Sequence, residues 1–421
     1  MRVLTAGVMD LLASGEYAVH ARARIEDPDG NVIEVEYGAD DRDSWLVSAE
    51  GGEDLDQPVA EATIRLRRSA EGALSLAPLM EGSPINRDGS GQYAPRLDLA
   101  RRIVLEVQIT APWEQPSAAG GLHVFDGYVD RIDWSGPEAV LYCRDLGALL
   151  VDSWVEEESE YGAPDTGVPL EDVAQAILDD WCPGVTVYAP DPPGFMVTSY
   201  RIDRQSVMDA LENLVQKIGW AIRYRWDSGA GQWRLTIYDP GRDKTTPDAT
   251  FGPDDYADVT TLEIDRDLVR NVVEIEYRDA VTNERATVVA QDPQSIARYG
   301  RRWMRIEEAD DSPIDTAAEA QAMADAALSD LAWPDAEQAI EMLLWPAAEI
   351  GDLYRFRANG VHYDRDHDWA VTSVRHQIAL DRHRTTIRTR GKPAGMYRQW
   401  FRASSLPPGV VLYAECRARI V

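Results

Sequence analysis

The sequence predicts a β-rich α+β fold, and three observations support this prediction. Short segments of alternating apolar and polar residues, separated by Gly, Pro and Asp turns, fill the first 150 residues. Residues from about 150 to 240 contain two segments with helical apolar spacing and a hairpin pattern. Alternating segments return after residue 241 and are interrupted by one alanine-rich segment. The 421 residues therefore predict two blocks of antiparallel strands, with small α+β domains between and inserted.

The N-terminal block begins with a predicted hairpin. Apolar and polar residues alternate over 17–25, a DPDG turn follows, and Val32–Tyr37 is the expected partner strand. Further strands are predicted at 60–67, 103–109, 122–134 and 139–144. Short antiparallel strands of this kind form a β-barrel or a β-sandwich. The stretch 71–95, rich in Gly, Pro and Ser, predicts a long loop.

Two amphipathic helices are predicted in the middle of the chain. The first lies between residues 170 and 181, where apolar side chains recur at helical spacing. The second, Ser206–Ile218, begins with a pair that resembles a capping box, Ser206 and Asp209. Gly219 follows at its C-terminal cap position, and a hairpin comes next.

The stretch 295–390 contains a distinctive order of parts, which includes the pairs Tyr299-Gly300 and Gly351-Asp352. An alanine-rich helix is predicted between these pairs at 317–331, because Thr316-x-x-Glu319 before it is a capping box. Strands are predicted at 273–277, 370–380 and 385–390.

The charge of the chain is large and unevenly placed. Lys and Arg total 42 against 73 Asp and Glu, which gives a net charge of −31. Such a charge argues against a nucleic-acid-binding surface, although a general bias of the host, including salt adaptation, explains it equally well. Residues 151–172 contain eight acids and no base, whereas 375–421 contain ten bases and two acids. This asymmetry fits contact between subunits of opposite local charge, with a solvated acidic loop as the alternative.

No motif in the sequence predicts catalysis, a cofactor or a metal. There is no G-x-S-x-G elbow and no H-E-x-x-H helix, and carboxylates are too abundant for any one pair to indicate a glycosidase. Asp364 could begin a calcium loop, but Trp369 and Arg375 stand where such a loop needs Gly and Glu. The three cysteines form no CxxC pair. We therefore expect a non-enzymatic protein without a cofactor. A glycan hydrolase and a carbohydrate-binding adhesin are the alternatives.

No apolar run is long enough to span a membrane, so we expect no stable membrane insertion. The N-terminus lacks the pattern of a signal peptide, because its short apolar run is broken by Asp10. We therefore expect the protein to be made in a cytoplasm and to leave it, if at all, by a route such as lysis.

The sequence resembles the tail-hub proteins of tailed bacteriophages, also called baseplate-hub or tail-tip-hub proteins, over residues 15–392. The resemblance is carried by the segment VFDGYVD in the N-terminal block, by the second helix with Gly219, and by the order of parts in the C-terminal block. The matching residues are Phe125, Gly127, Asp130, Gly219, Tyr299, Gly300, Gly351 and Asp352.

The resemblance implies two antiparallel β-barrel domains. The expected domains are an N-terminal β-barrel (1–148), an α+β domain (149–240), a second β-barrel (241–305 and 338–392), a helical insertion (306–337) and a C-terminal docking segment (393–421). Tyr397, Trp400 and Phe401 in the last segment are candidates for partner docking, with a flexible terminus as the alternative.

The resemblance also implies a homotrimer at the tip of a virion tail, assembled in the host cytoplasm. Each chain would contribute two similar barrels to a ring that joins the tail tube to a distal fibre or puncturing device. The implied partners are a distal tail protein, a tape-measure protein and a separate tail fibre or tip protein. DNA would pass through the ring transiently and without specific binding, and an acidic lumen would favour this passage. A hexameric distal-tail ring is a closely related alternative.

Overall fold

A computed structural model of the protein describes residues 6–14, 16–26, 32–37, 46–55, 57–67, 98–114, 121–134, 138–164, 166–218, 220–227, 229–239, 244–253, 255–265, 267, 269–308, 314–358, 366–379 and 382–391. The predicted loop at 71–95, Gly219, and the docking candidates Tyr397, Trp400 and Phe401 lie outside these residues.

Strands dominate the described part of the chain, which confirms the predicted β-rich α+β class. The strands are β1 (Ala18–Glu26), β2 (Val32–Tyr37), β3 (Leu46–Asp54), β4 (Gln57–Arg67), β5 (Arg102–Thr110), β6 (Leu122–Asp133), β7 (Glu138–Asp145), β8 (Ser159–Tyr161), β9 (Val168–Pro169), β10 (Val187–Tyr188), β11 (Met196–Val197), β12 (Tyr200–Ile202), β13 (Ala221–Asp227), β14 (Gln232–Tyr238), β15 (Ala249–Phe251), β16 (Tyr256–Asp265), β17 (Val272–Arg278), β18 (Arg285–Gln291), β19 (Trp303–Glu307), β20 (Asp335–Leu343), β21 (Leu353–Phe356), β22 (His367–Ala379) and β23 (Arg382–Arg390). The helices are α1 (Ala6–Ser14), α2 (Ala148–Asp152), α3 (Leu170–Trp181), α4 (Val207–Gln216), α5 (Pro293–Tyr299) and α6 (Ala317–Leu331).

Thirteen of the described strands belong to one large sheet that unites the two ends of the chain. The sheet runs in the order β16-β20-β23-β22-β3-β4-β7-β6-β5-β1-β2, while β21 pairs with both β15 and β22. The β1–β2 hairpin and the predicted strands β4 to β7 are all present. Their alternating pattern buries one face, as β1 shows with Val19, Ala21, Ala23 and Ile25 inside.

The middle unit, residues 148–239, has its own core. Helices α3 and α4 pack with the three-stranded sheet β10-β14-β13, and their apolar side chains form one buried cluster. Ser206 caps α4 by accepting a hydrogen bond from the backbone N–H of Asp209 at 3.0 Å, as the sequence predicts. Helix α4 therefore begins where the capping pattern predicts.

An inserted unit, residues 269–308 and 314–334, separates β16 from β20. Its sheet has the order β18-β17-β19, and α6 packs over it through an apolar cluster. The predicted capping box of Thr316 and Glu319 is present. This unit extends beyond the expected insertion at 306–337, because β17 and β18 pair with β19 and not with the large sheet. Their period-two pattern indicates strands but not which sheet they join.

None of the described helices is both long enough and apolar enough to cross a membrane.

Candidate assembly interface

The N-terminal and C-terminal strand blocks meet where β3 pairs with β22, and we call this contact the strand seam. Seven antiparallel residue pairs form it, from Ser373 opposite Asp54 to Ala379 opposite Ser48. Ile378 on β22 is buried within the core of the N-terminal block. The two blocks are therefore held together by a backbone ladder and by a shared core.

Two consecutive glycines lie on the strand seam. A Cβ at Gly52 would lie only 2.9 Å from the carbonyl oxygen of Val374, so β3 can approach β22 this closely only without a side chain. A Cβ at Gly51 would lie 3.7 Å from the Cβ of Ala62, which is ordinary contact. The seam therefore requires glycine at position 52 and tolerates a methyl group at position 51.

A groove of about 720 Å³ lies over the strand seam. Its charged lining residues are Glu50, Glu53, Asp54, Glu61, Arg375 and Arg388. Arg375 lies 3.1 Å from Glu50 and Arg388 lies 3.9 Å from Asp54, so both bases are paired across the seam. Four acids against two bases leave the groove acidic.

Leu55, directly after β3, lies where three parts of the chain meet. Its backbone N–H donates to the carbonyl oxygen of Thr372 at 2.8 Å. Its side chain is buried with Ala221 and Tyr238 of the middle unit and with Ile350 of the C-terminal block. This small core, which we call the three-way junction, fixes the middle unit against the end of the strand seam.

Buried polar groups accompany the three-way junction. The guanidinium of Arg223, 5% exposed, donates to the carbonyl oxygen of Asp54 at 3.4 Å. The Asp145 carboxyl accepts hydrogen bonds from the backbone N–H groups of Ala60 and Gly147 at 3.0 and 2.7 Å. Burial raises the pKa of Asp145 to about 7, against the lowering effect of these two bonds. This carboxyl therefore titrates near neutral pH.

A second contact joins the middle unit to the inserted unit, and we call it the unit contact. Lys217 Nζ lies 2.5 Å from Glu308 Oε2, with side chains 12% and 0% exposed. Thr198 donates to the Asp315 carboxylate at 2.7 Å. Phe195 packs against both cores. The unit contact thus relies on specific side chains, and its central ion pair is almost fully desolvated.

The residues that carry the family resemblance, in the part of the chain that the structure describes, are dispersed and do not form one site. Phe125 is buried in the N-terminal core. A Cβ at Gly127 would overlap the backbone of Arg144, and Asp130 forms an ion pair with the same arginine. Tyr299 packs edge-on against Trp333 in the inserted unit.

Gly300 lies at the C-terminal cap of α5, and Gly351 lies in a turn before β21. Gly300 has φ of 77°, and its carbonyl oxygen accepts from the side-chain amide of Asn271 at 2.8 Å. Gly351 has φ of 87°, and the adjacent Asp352 is buried and accepts from the Tyr354 hydroxyl at 2.8 Å. These positions therefore support the fold locally.

Sequence reasoning missed β3 and, with it, the strand seam. The segment 46–54 contains two glycines and several acids, which obscure its alternation. A signal was available, because paired glycines in a segment of strand length often mark the close approach of another backbone. Within the described residues, no group of three or more His, Cys, Asp or Glu side chains could hold a metal ion.

The sequence matches no protein-family model and no curated protein. Solved structures do match over nearly the whole chain. A prophage 43 kDa tail protein from Shewanella oneidensis superimposes with a TM-score of 0.57 at 12% identity, covering 88% of this chain and 98% of that one. A tail protein from Neisseria meningitidis gives 0.53 at 16% identity, covering 89% and 96%. This chain has the fold of phage tail proteins.

A third tail protein extends this comparison. A prophage tail protein from Listeria monocytogenes superimposes with a TM-score of 0.53 at 10% identity, covering 90% of this chain and 97% of that one. The shared tail-protein fold therefore includes both strand blocks and the units between them. It is not limited to one domain. At these identities the fold is retained although most side chains differ.

Proposed function

We propose that the protein is the structural hub at the tip of a bacteriophage tail or of a phage-like particle. In this role it forms a ring that joins the tail tube to a distal fibre or puncturing device. The role requires rigid walls and broad contacts, and it makes or breaks no covalent bond. Obligate contacts in such assemblies often bury more than about 2,000 Å².

The observation that carries this proposal is the near end-to-end match with tail proteins. These proteins are matched over 96–98% of their own length, so the likeness includes the arrangement of all the parts. A common fold alone does not specify function. The sequence resemblance to tail hubs supplies the more specific assignment.

The two strand blocks correspond in this proposal to the two β-barrels of a hub. The first comprises β1 to β7, and the second comprises β15, β16 and β20 to β23. The strand seam supports the idea, because a continuous backbone ladder would hold both barrels at a fixed angle. Three chains would then present six barrels to the tail tube.

The proposed ring surrounds the path of DNA at the tail tip. A distal tail protein and a tape-measure protein would contact it from the tube side, and a fibre or tip protein from the distal side. The net charge of −31 fits a lumen that repels DNA and so lets it pass without binding. A structure of the assembly with a neutral or basic lumen would contradict this part.

The mass of the assembled protein tests the proposal. We expect native mass spectrometry to show three copies in a closed complex. Six copies would favour a distal-tail ring. A peptidoglycan or polysaccharide cleavage assay is the complementary test, because turnover abolished by one carboxylate substitution would overturn the purely structural role.

A further inference from the structure

Two large apolar side chains are exposed within a short segment of the middle unit. Leu149 on α2 is 43% exposed and Trp154 is 55% exposed. The backbone around Trp154 is held firmly, because the N–H of Val155 donates to Gln205 and the N–H of Val207 donates to Ser153, each at 2.9 Å. A rigidly mounted, exposed tryptophan is a typical anchor of a protein interface.

The chain segment that carries this tryptophan is acidic. Residues 152–160 contain five acids and no base. Asp152 and Glu158 pair with arginines from elsewhere in the chain, whereas Glu156 and Glu157 are exposed beside Trp154. We call Leu149, Trp154, Glu156 and Glu157 the Trp154 patch. Its chemistry fits a partner that is both aromatic and basic.

The segment 393–421 of the same sequence has this chemistry. It contains four arginines and one glutamate, in a chain whose net charge is −31. The docking candidates Tyr397, Trp400 and Phe401 are interleaved with Arg398 and Arg402. A segment of this length can bridge subunits, because an extended chain spans about 3.3 Å per residue.

We propose that the Trp154 patch binds residues 393–421 of a neighbouring copy of this chain. Aromatic side chains of that segment pack on Leu149 and Trp154, and its arginines face Glu156 and Glu157. Such a contact is head-to-tail, since an acidic patch facing its own copy would be repelled. Head-to-tail contacts generate a ring when the rotation between copies closes. The inference therefore deepens the proposed function and depends on it for the neighbouring copy.

Site-specific cross-linking in the full-length protein tests this contact. A photoreactive benzophenone amino acid replaces Trp154, and the covalent products are separated by denaturing electrophoresis. We expect a product of twice the chain mass, with the cross-link mapped by mass spectrometry to residues 393–421. The same amino acid in place of Trp113, which is 78% exposed, is the matched control and should give no such product.

Each other outcome of the cross-linking overturns the proposal. A cross-link to residues 393–421 that leaves the product at the mass of one chain would show that the segment folds back on its own chain. Cross-links to other regions, or none at all, would show that the Trp154 patch binds something else or nothing.

Charge reversal gives an independent test in the full chain. Replacing Glu156 and Glu157 by Arg should weaken self-association at least tenfold, as should replacing Arg398 and Arg402 by Glu. Combining both sets should restore most of the association, whereas loss of folding would not be rescued in this way. Additive weakening in the combined variant would contradict the contact.

The two proposals can fail separately. The cross-linked product could form at twice the chain mass while the native complex does not contain three copies. This result would support the Trp154 contact and contradict the trimeric hub. Three copies without this cross-link would support the hub and contradict the contact.

Discussion

The strand seam and the unit contact both join distant parts of the chain, but they use different chemistry. Seven backbone pairs and a shared apolar core hold the seam, while its ion pairs lie at the surface. The unit contact depends on the ion pair of Lys217 with Glu308, whose carboxylate is fully buried. Backbone ladders tolerate most side-chain changes, whereas a desolvated charge does not tolerate the loss of its partner. The two contacts should therefore respond very differently to substitution.

The largest effect is expected from Glu308→Ala at the unit contact. This change removes the buried carboxylate that pairs with Lys217, and loss of one member of a buried ion pair typically costs about 3–5 kcal/mol. Chemical denaturation should show this loss of unfolding free energy. The double variant Lys217→Met with Glu308→Leu removes both charges of the pair, and we expect most of the stability to return. A double variant as unstable as Glu308→Ala would show that the charge is not the cause.

The next largest effect is expected at the seam itself. Gly52→Ala forces a methyl group against the carbonyl oxygen of Val374, and the required backbone shift should cost about 1–3 kcal/mol. Gly51→Ala is the matched control and should change the unfolding free energy by less than about 0.5 kcal/mol. Equal effects of the two substitutions would contradict the close approach of β3 and β22.

The dependence of the unfolding free energy on pH should report the titration of Asp145, near the three-way junction. Its pKa is about 7 in the folded protein and 3.8 when unperturbed, so between these values the folded state holds a proton that the unfolded state has released. This contribution to stability is complete below about pH 4 and is lost as the pH rises to about 7, with a slope of at most about 1.4 kcal/mol per pH unit.

Thermal melts of Asp145→Asn measure this effect. The substitution should flatten the decline in stability between about pH 5 and 7, because the asparagine side chain does not titrate. An unchanged pH profile in the variant would place the titrating group elsewhere.

The smallest effect is expected from Arg375→Ala. The ion pair with Glu50 crosses the seam but is exposed to solvent, so its loss should cost less than about 0.5 kcal/mol. Urea denaturation can detect this change. A loss above about 2 kcal/mol would mean that surface charges, and not the backbone ladder, hold the seam.

Much of the local structure could be predicted from the sequence, because the signals are themselves local. Alternation over residues 17–25 specifies β1, and Thr316 with Glu319 specifies the start of α6. The pairing of β3 with β22 could not be predicted, since it joins segments about 320 residues apart and no local pattern encodes such pairing. The same limit explains why the sequence assigns β17 and β18 to the second strand block, whereas they pair within the inserted unit.

Residues of the candidate interface could likewise be predicted only where the sequence carries a recognisable signal. The family resemblance picks out Gly300 and Gly351, and the structure gives both a positive φ angle that favours glycine. Lys217 and Glu308 could not be predicted, since either residue alone is indistinguishable from a surface charge. Trp154 was one of thirteen tryptophans in the sequence, and only the structure separates its exposed side chain from buried ones such as Trp369.

Electron microscopy of the purified full-length protein tests the central claim most directly. We predict a closed ring with a central channel and threefold symmetry. A compact monomer that persists at high concentration would contradict the hub assignment.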